Sequence, residues 1–250
     1  MTEDRKPQPA SRSRVRDFMR GVSQFGVIVM MVLLIKTVAA EAYYVPSGSM
    51  LPSLLVGDYL LVSKFPYGYS RYSLPLPLAP ASSERLLGRL PNRGDVVVFR
   101  LPRDPSQTYV KRVVGLPGDR VQMRAGRLWV NGKMLPLRRD GTGTIEADDG
   151  TREPAPRFVE TLPNGLEHPI FKHGWNELLD NTAEFVVGPG QIFVMGDNRD
   201  DSVDSRVAPA AHGVGFVPVE NLVGRVEAVL GSWDRTTPGL RLSRFFSAVR

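Results

Sequence analysis

Cysteine is absent from the 250 residues and histidine nearly so, with only His168, His173 and His212. Without thiols the chain has no disulfide framework, no thiolate nucleophile, no iron–sulfur ligation and no Cys-bearing zinc site. Three scattered histidines, with no H-E-x-x-H helix and no H-x-H pair, argue against a dedicated His-rich metal site. They also leave a Ser-His-Asp triad few members to draw on. No segment beyond about residue 45 sustains a 3.6-residue period, so the body of the chain is not helical. The net charge of +6 suits nucleic acid, anionic lipid or simple solubility, and its distribution decides among them.

What is present begins with a separation of charge from apolar residues. The first twenty residues carry Arg5, Lys6, Arg12, Arg14, Arg16 and Arg20 against Glu3, Asp4 and Asp17, and GVSQFGVIVMMVLLIKTVAA follows at once. As a helix, Val22 to Ala40 would reach roughly 28 Å at ~1.5 Å per residue, about one bilayer core. Lys36 would lie near the far end, where its stem can snorkel toward water. Basic residues before the span and few after it put the N-terminus in the cytoplasm and the rest outside. A buried helix of a soluble core would rarely follow such a basic tract. A cleavable secretory signal is the sharper rival, because Val38-Ala39-Ala40 and Ala40-Glu41-Ala42 carry small residues where a signal-cleaving enzyme reads. Composition leaves anchor and cleaved signal both open. Under either reading most of the chain leaves the cytoplasm, which counts against nucleic acid as the partner of the basic charge.

From Tyr43 onward, short β-type runs are bounded by Gly, Pro, Asn and Asp: Tyr59 to Ser63, Val96 to Phe99, Tyr109 to Val114, Leu128 to Val130, Glu184 to Val187 and Gln191 to Met195. Asn131-Gly132, Asn164-Gly165 and Asp149-Gly150 are hairpin turn dipeptides, and Leu116-Pro117-Gly118-Asp119 fits a type II turn. The class is therefore mainly β. Residues 123–189 are polar and hairpin-rich and read as an inserted or peripheral subdomain within a core of 41–122 and 190–235. Tyr72 to Ala81 is Pro-rich and reads as an extended loop. Residues 236–250 form a basic tail whose RLSRFFSAVR fits either a short amphipathic helix on a membrane surface or a segment packed on the protein through Phe245 and Phe246.

Three segments hold candidate chemistry. In PSGSMLP, Pro46 and Pro52 stiffen the backbone while Gly48 leaves room for another chain to approach. Such a setting can present Ser49 Oγ as a nucleophile, with Ser47 Oγ and the Ser49 N–H available to an oxyanion. A plain Ser/Gly turn is the alternative. In TYVKRVV, strand alternation sends Tyr109, Lys111 and Val113 to one face and Val110, Arg112 and Val114 to the other. A free lysine is neutral in only about one molecule in a few thousand at neutral pH, so Lys111 serves as a base only if burial favours the amine. A strand-edge lysine reaching solvent is the alternative. In GDNRDDSVDSR a calcium loop is disfavoured, because Arg199 takes a ligand position and no glutamate follows at the right distance. The loop can instead pair Asp204 with Arg206 or Arg199 and offer Ser202 to a buried amine. A generic Asx turn remains open.

PSGSMLPSL, GDYLLVSKFPYG, RGDVVVFR, YVKRVVGLPGD and GDNRDDSVDSR, in that order behind an N-terminal span, resemble bacterial type I signal peptidases. The resemblance runs from the span to about Trp233 and includes GFVPVENLVGR. It implies a membrane-anchored Ser/Lys dyad protease that removes signal peptides from exported preproteins after a small-x-small motif. By it, Ser49 is the nucleophile, Lys111 the general base, and Ser47 with the Ser49 N–H the oxyanion hole. Ser202 orients the amine, Asp204 and Arg206 are the supporting pair, and Tyr109 lies beside the lysine. An extended peptide would bind by strand addition, with Val45, Met50, Leu54 and Val110 lining shallow pockets. No metal and no cofactor are expected. The partners are signal peptides of preproteins and the lipid bilayer, with contact to the secretion machinery a further expectation.

The implied architecture is one N-terminal transmembrane helix, 21–40, behind a cytoplasmic tail, 1–20, and ahead of an extracytoplasmic β catalytic domain in the plasma (inner) membrane. A cut after Ala40 or Ala42 would free the enzyme from its substrates, so the resemblance favours an uncleaved anchor. Departures are Ser53 where Thr is common, Asp201 where Asn is common, and Val207 to Val214, which lengthens a loop.

Overall fold

The computed structural model describes residues 10–73, 85–146, 152–234 and 238–249. Residues 1–9 of the basic tail, 74–81 of the Pro-rich run, the Asp149-Gly150 turn and Arg250 lie outside the described residues.

A helix, α1 (Ala10–Val38), takes in most of the expected span and begins well before it. Every described side chain from Arg16 to Val32 is exposed, Phe18, Phe25 and Met30 among them. Among the described residues, no helix is long and apolar enough to cross a membrane. The expected transmembrane segment is seen as a helix whose apolar side chains from Arg16 to Val32 are left uncovered by the described residues.

The remainder is β. In chain order the strands are β1 (Ala40–Tyr44), β2 (Asp58–Ser63), β3 (Val96–Leu101), β4 (Asp104–Gly115), β5 (Arg120–Arg124), β6 (Arg127–Val130), β7 (Lys133–Met134) and β8 (Leu137–Glu146). There follow β9 (Arg152–Thr161), β10 (Glu167–Phe171), β11 (Phe185–Val186), β12 (Gln191–Met195), β13 (Val217–Pro218), β14 (Leu222–Asp234), β15 (Gly239–Leu240) and β16 (Ser247–Ala248). The main sheet runs β1-β2-β14-β3-β4-β12-β13, with β15 and β16 also on β14. β5, β6, β7 and β11 form a second sheet, and β8, β9 and β10 a third.

Local chemistry accounts for the joints. The Leu116–Asp119 turn closes through Asp119 N–H donating to Leu116 O at 2.9 Å, with Gly118 at φ 90 supplying the left-handed residue a type II turn requires. Asn131 and Gly132 both take positive φ between β6 and β7.

Two apolar clusters line the main sheet, one around Val45, Met50, Leu54, Leu60 and Val98, the other around Val97, Phe99, Val113 and Val194. A third joins Val114, Phe193 and Met195 of the main sheet to Val121, Met123, Leu128 and Val130 of the second. The second sheet therefore starts at Arg120, inside the segment read as core, and shares an apolar interior with it. A fourth, smaller cluster sets Leu51 beside Ile145, Ala155 and Phe171 of the third sheet. The region read as peripheral is packed directly behind the PSGSMLP turn.

The basic tail is not an amphipathic helix. It returns along β14 as two short strands with a single 3-10 turn, Leu242–Arg244, between them. Arg244 reaches the fully buried Asp58 carboxylate and Ser53 O, which fixes the turn to the protein. Phe245 is half-buried near Gly231, whereas Phe246 stays exposed.

Candidate active site

Ser49 sits on a 3-10 turn, Gly48–Met50, just beyond β1. Met50 and Leu51 are buried and hold the turn from below, and Leu51 N–H donates to Gly48 O at 3.0 Å. The loop after β12 pins it from the side. Asn198 N–H donates to Ser49 O at 3.2 Å, and Asn198 Nδ2 donates to Gly48 O at 3.2 Å. Gly196 is needed for this approach, because a Cβ there would lie 2.5 Å from Ser49 O and 2.1 Å from Ser202 Oγ.

Lys111 projects from β4 and is 3% exposed, with its Nζ 2.6 Å from Ser49 Oγ. The Tyr109 ring centroid is 5.6 Å from the same nitrogen. Among the described residues no carboxylate comes within ion-pair distance of it. Burial lowers the lysine pKa from 10.5 to about 8, while Asp204 and Asp197 at longer range partly oppose the shift and Arg206 assists it. The neutral amine is then about one molecule in ten at neutral pH, against one in a few thousand for a free lysine.

Asp204 is fully buried and pairs with Arg206, not Arg199. It also accepts from the N–H groups of Gly196 and Arg206. Burial pushes its pKa up, but Arg206 and these donors more than offset that and hold it below the usual carboxylate range. Ser202 is buried at 5% exposure, and its Oγ has no hydrogen-bond partner among the described residues. The hydroxyl is thus near the site but not bonded to the amine.

Ser49 and Lys111 share a cavity of about 460 Å³ with Tyr43, Tyr44, Val45, Pro46, Ser47, Met50, Thr108, Tyr109, Val110, Asp201 and Val203. Of the residues expected to line pockets, Val45, Met50 and Val110 face this space. Leu54 does not: it is fully buried in the cluster beneath Val45 and Met50. Ser47 is exposed at the rim beside Ser49. β12 pairs with β4 only from Arg112 to Gly115, so the run from Thr108 to Lys111 has an open edge on that side.

A buried ionic seam behind the site was missed by sequence reasoning. Arg112, fully buried, gives Nε to Asp197 Oδ1 at 2.8 Å and Nη2 to Asp197 Oδ2 at 2.7 Å. His168, read as peripheral, is 1% exposed and lies 3.4 Å from both Asp197 and Glu160. Glu160 in turn takes both terminal nitrogens of Arg199. The seam thus runs from β4 through the loop to β9 and β10. One signal for it was available: an arginine inside an apolar strand flanked on both sides by other strands must find a carboxylate. No histidine lines the cavity, and His212 is exposed in a distant turn.

A family model described as signal peptidase, peptidase S26, matches residues 18–233. The signal peptidase I of Rickettsia typhi is 40% identical over 224 residues, covering 85% of this chain and 81% of that one. That of Rickettsia akari is 39% identical over 239 residues, covering 89% and 86%. The crystal structure of a signal peptidase I from Enterococcus faecalis covers 55% of this chain and 97% of that chain at 25% identity, with a TM-score of 0.30.

Proposed function

We propose, from the premise that the chain belongs to the signal peptidase, peptidase S26, family, that Ser49 and Lys111 are the reacting pair of its chemistry. The chain is a serine endopeptidase that removes signal peptides from preproteins. The observation that carries the assignment of the pair is the 2.6 Å contact between a buried lysine nitrogen and the hydroxyl of a half-buried serine that lines the cavity.

In the proposed mechanism the neutral Lys111 amine accepts the Ser49 proton as Oγ attacks the peptide carbonyl. The negative oxygen that forms is met by the Ser49 N–H and Ser47 Oγ. Lys111, now an ammonium, passes its proton to the leaving amine as the C–N bond breaks, and an acyl-enzyme remains. Lys111 then takes a proton from water as the water attacks the acyl carbonyl, and returns it to Ser49 Oγ as the ester C–O bond breaks, which frees the acyl group and restores both residues. Ser202 Oγ turns onto the amine and steadies its lone pair, while the Asp204–Arg206 pair holds the loop that carries it. The substrate lies extended between the end of β1 and the open edge of β4. Small side chains before the cut face Val45, Met50 and Val110.

The apolar stretch of α1, which no other described residue covers, supports its reading as a membrane anchor with the N-terminus in the cytoplasm. A reporter fused after Arg250 tests this, since activity confined to cytoplasmic fusions contradicts it. For the reacting pair, the full chain in detergent is offered a preprotein with an A-x-A site. Wild type cleaves it, whereas full cleavage retained by both Ser49→Ala and Lys111→Ala sinks the proposal.

A further inference from the structure

One charged group on the cavity wall has no part in the chemistry above. Among the described lining residues the only carboxylate is Asp201 and the only basic side chain is Lys111. The Asp201 side chain is 57% exposed, and its Oδ2 lies 2.9 Å from His173 Nε2. His173 belongs to the segment after β10, so the pair clasps that segment to the rim of the cavity.

The place of this carboxylate is built. Its neighbour Asp200 accepts from His173 N–H at 2.7 Å and from Lys172 Nζ at 2.9 Å. Lys172 is 2% exposed and also bonds the fully buried Asp180. Asp201 therefore stands beside a buried, mutually bonded cluster while its own side chain lines the cavity. Its charge falls on whatever occupies the cavity. When Lys111 is neutral, as the attack requires, that charge is the only one on the described lining, screened by the His173 N–H.

We propose that Asp201, held and partly screened by His173, is a specificity-determining residue that favours basic and disfavours acidic side chains beside the scissile bond. This rests on the reading of Ser49 and Lys111 as the reacting pair.

The test uses the full chain in detergent, on the alkaline side of the Lys111 transition and at low salt. Preproteins differ only in carrying Gln, Lys or Glu, first between the two small residues and then just after the cut. Each rate is taken relative to the Gln preprotein, so an overall loss in a variant cancels. In wild type the Lys preprotein is preferred over the Glu one by about two- to fivefold at one or both positions, the range of a solvent-screened charge pair. Asp201→Asn brings that ratio to about one, Asp201→Glu retains it, and His173→Gln widens it. Added salt shrinks it. A wild-type ratio of about one at both positions, or a ratio that survives Asp201→Asn, overturns the inference. Failure of wild type to cleave the Gln preprotein would instead strike at the reacting pair itself.

Discussion

Lys111 and Lys172 are buried to nearly the same degree, at 3% and 2% exposure, yet their surroundings are opposite. Lys172 has two carboxylates on its nitrogen, Asp180 and Asp200, and the Trp175 ring centroid 5.6 Å away. Lys111 has a serine hydroxyl and a tyrosine ring, and the buried carboxylates that act on it, Asp204 and Asp197, are each paired with an arginine. Burial with partners stabilises an ammonium as structure, whereas burial without them favours the amine and makes a base. Position in the fold separates the two: β4 delivers Lys111 to an open cavity, while Lys172 follows β10 behind it.

Methionine at each position sharpens this contrast. Lys111→Met should lower cleavage by about 10²- to 10⁴-fold, the usual contribution of a general base. Its thermal stability should match or exceed that of wild type, because no carboxylate loses its partner. Preprotein cleavage and a denaturation curve on the same sample check both halves. Lys172→Met should do the reverse. Removing the cation leaves Asp180 and Asp200 close together without it, which costs about 3–5 kcal/mol in urea unfolding. Equal destabilisation of the two variants would break the comparison.

Acid should act on the ionic seam. Burial pushes the Glu160 carboxyl up, but Arg199 and His168 overcome this and bring its pKa from 4.5 down to about 2. Because the folded value lies below the unfolded one, the stability it contributes is present above about pH 4.5 and lost as pH falls toward about 2. The loss is about 3 kcal/mol, read as unfolding free energy across that window. Glu160→Gln should be less stable at neutral pH, since Arg199 loses its partner, and should show a flatter acid limb.

The smallest effect is expected at Ser202. Its hydroxyl has no hydrogen-bond partner among the described residues, so Ser202→Ala should shift stability by no more than about 1 kcal/mol. Cleavage should still fall about tenfold or more if the hydroxyl steadies the amine. Stability and rate moving together would assign Ser202 to packing alone.

Much of this was legible in the residues. The runs at Tyr59, Val96, Tyr109, Leu128 and Gln191 all lie in strands, because alternation and turn residues there agree with the final pairing. β14, the longest strand, was not legible. Its run LVGRVEAVLGSW breaks strict alternation with Gly224 and Gly231, and the register against β2 and β3 shifts at three places. Ser49 and Lys111 were readable as candidates from local chemistry, but their 2.6 Å meeting depends on pairings far apart in sequence. The burial of His168 was not legible for the same reason. The hairpins around it look polar, and only the packing of the third sheet behind the turn buries it between Asp197 and Glu160. Leu54 lies one layer below the cavity wall, and spacing along PSGSMLPSL does not tell such a wall from the core beneath it.

On the proposed mechanism, burial turns Lys111 into a base near neutral pH. The pH dependence of kcat/KM for preprotein cleavage by the full chain tests it most directly. An acid limb is expected with its midpoint at about 8, below which the rate falls about tenfold per pH unit as Lys111 gains a proton. A rate that stays flat from the histidine range up to the ordinary lysine range, or whose only acid limb lies near that of a free histidine, would contradict it.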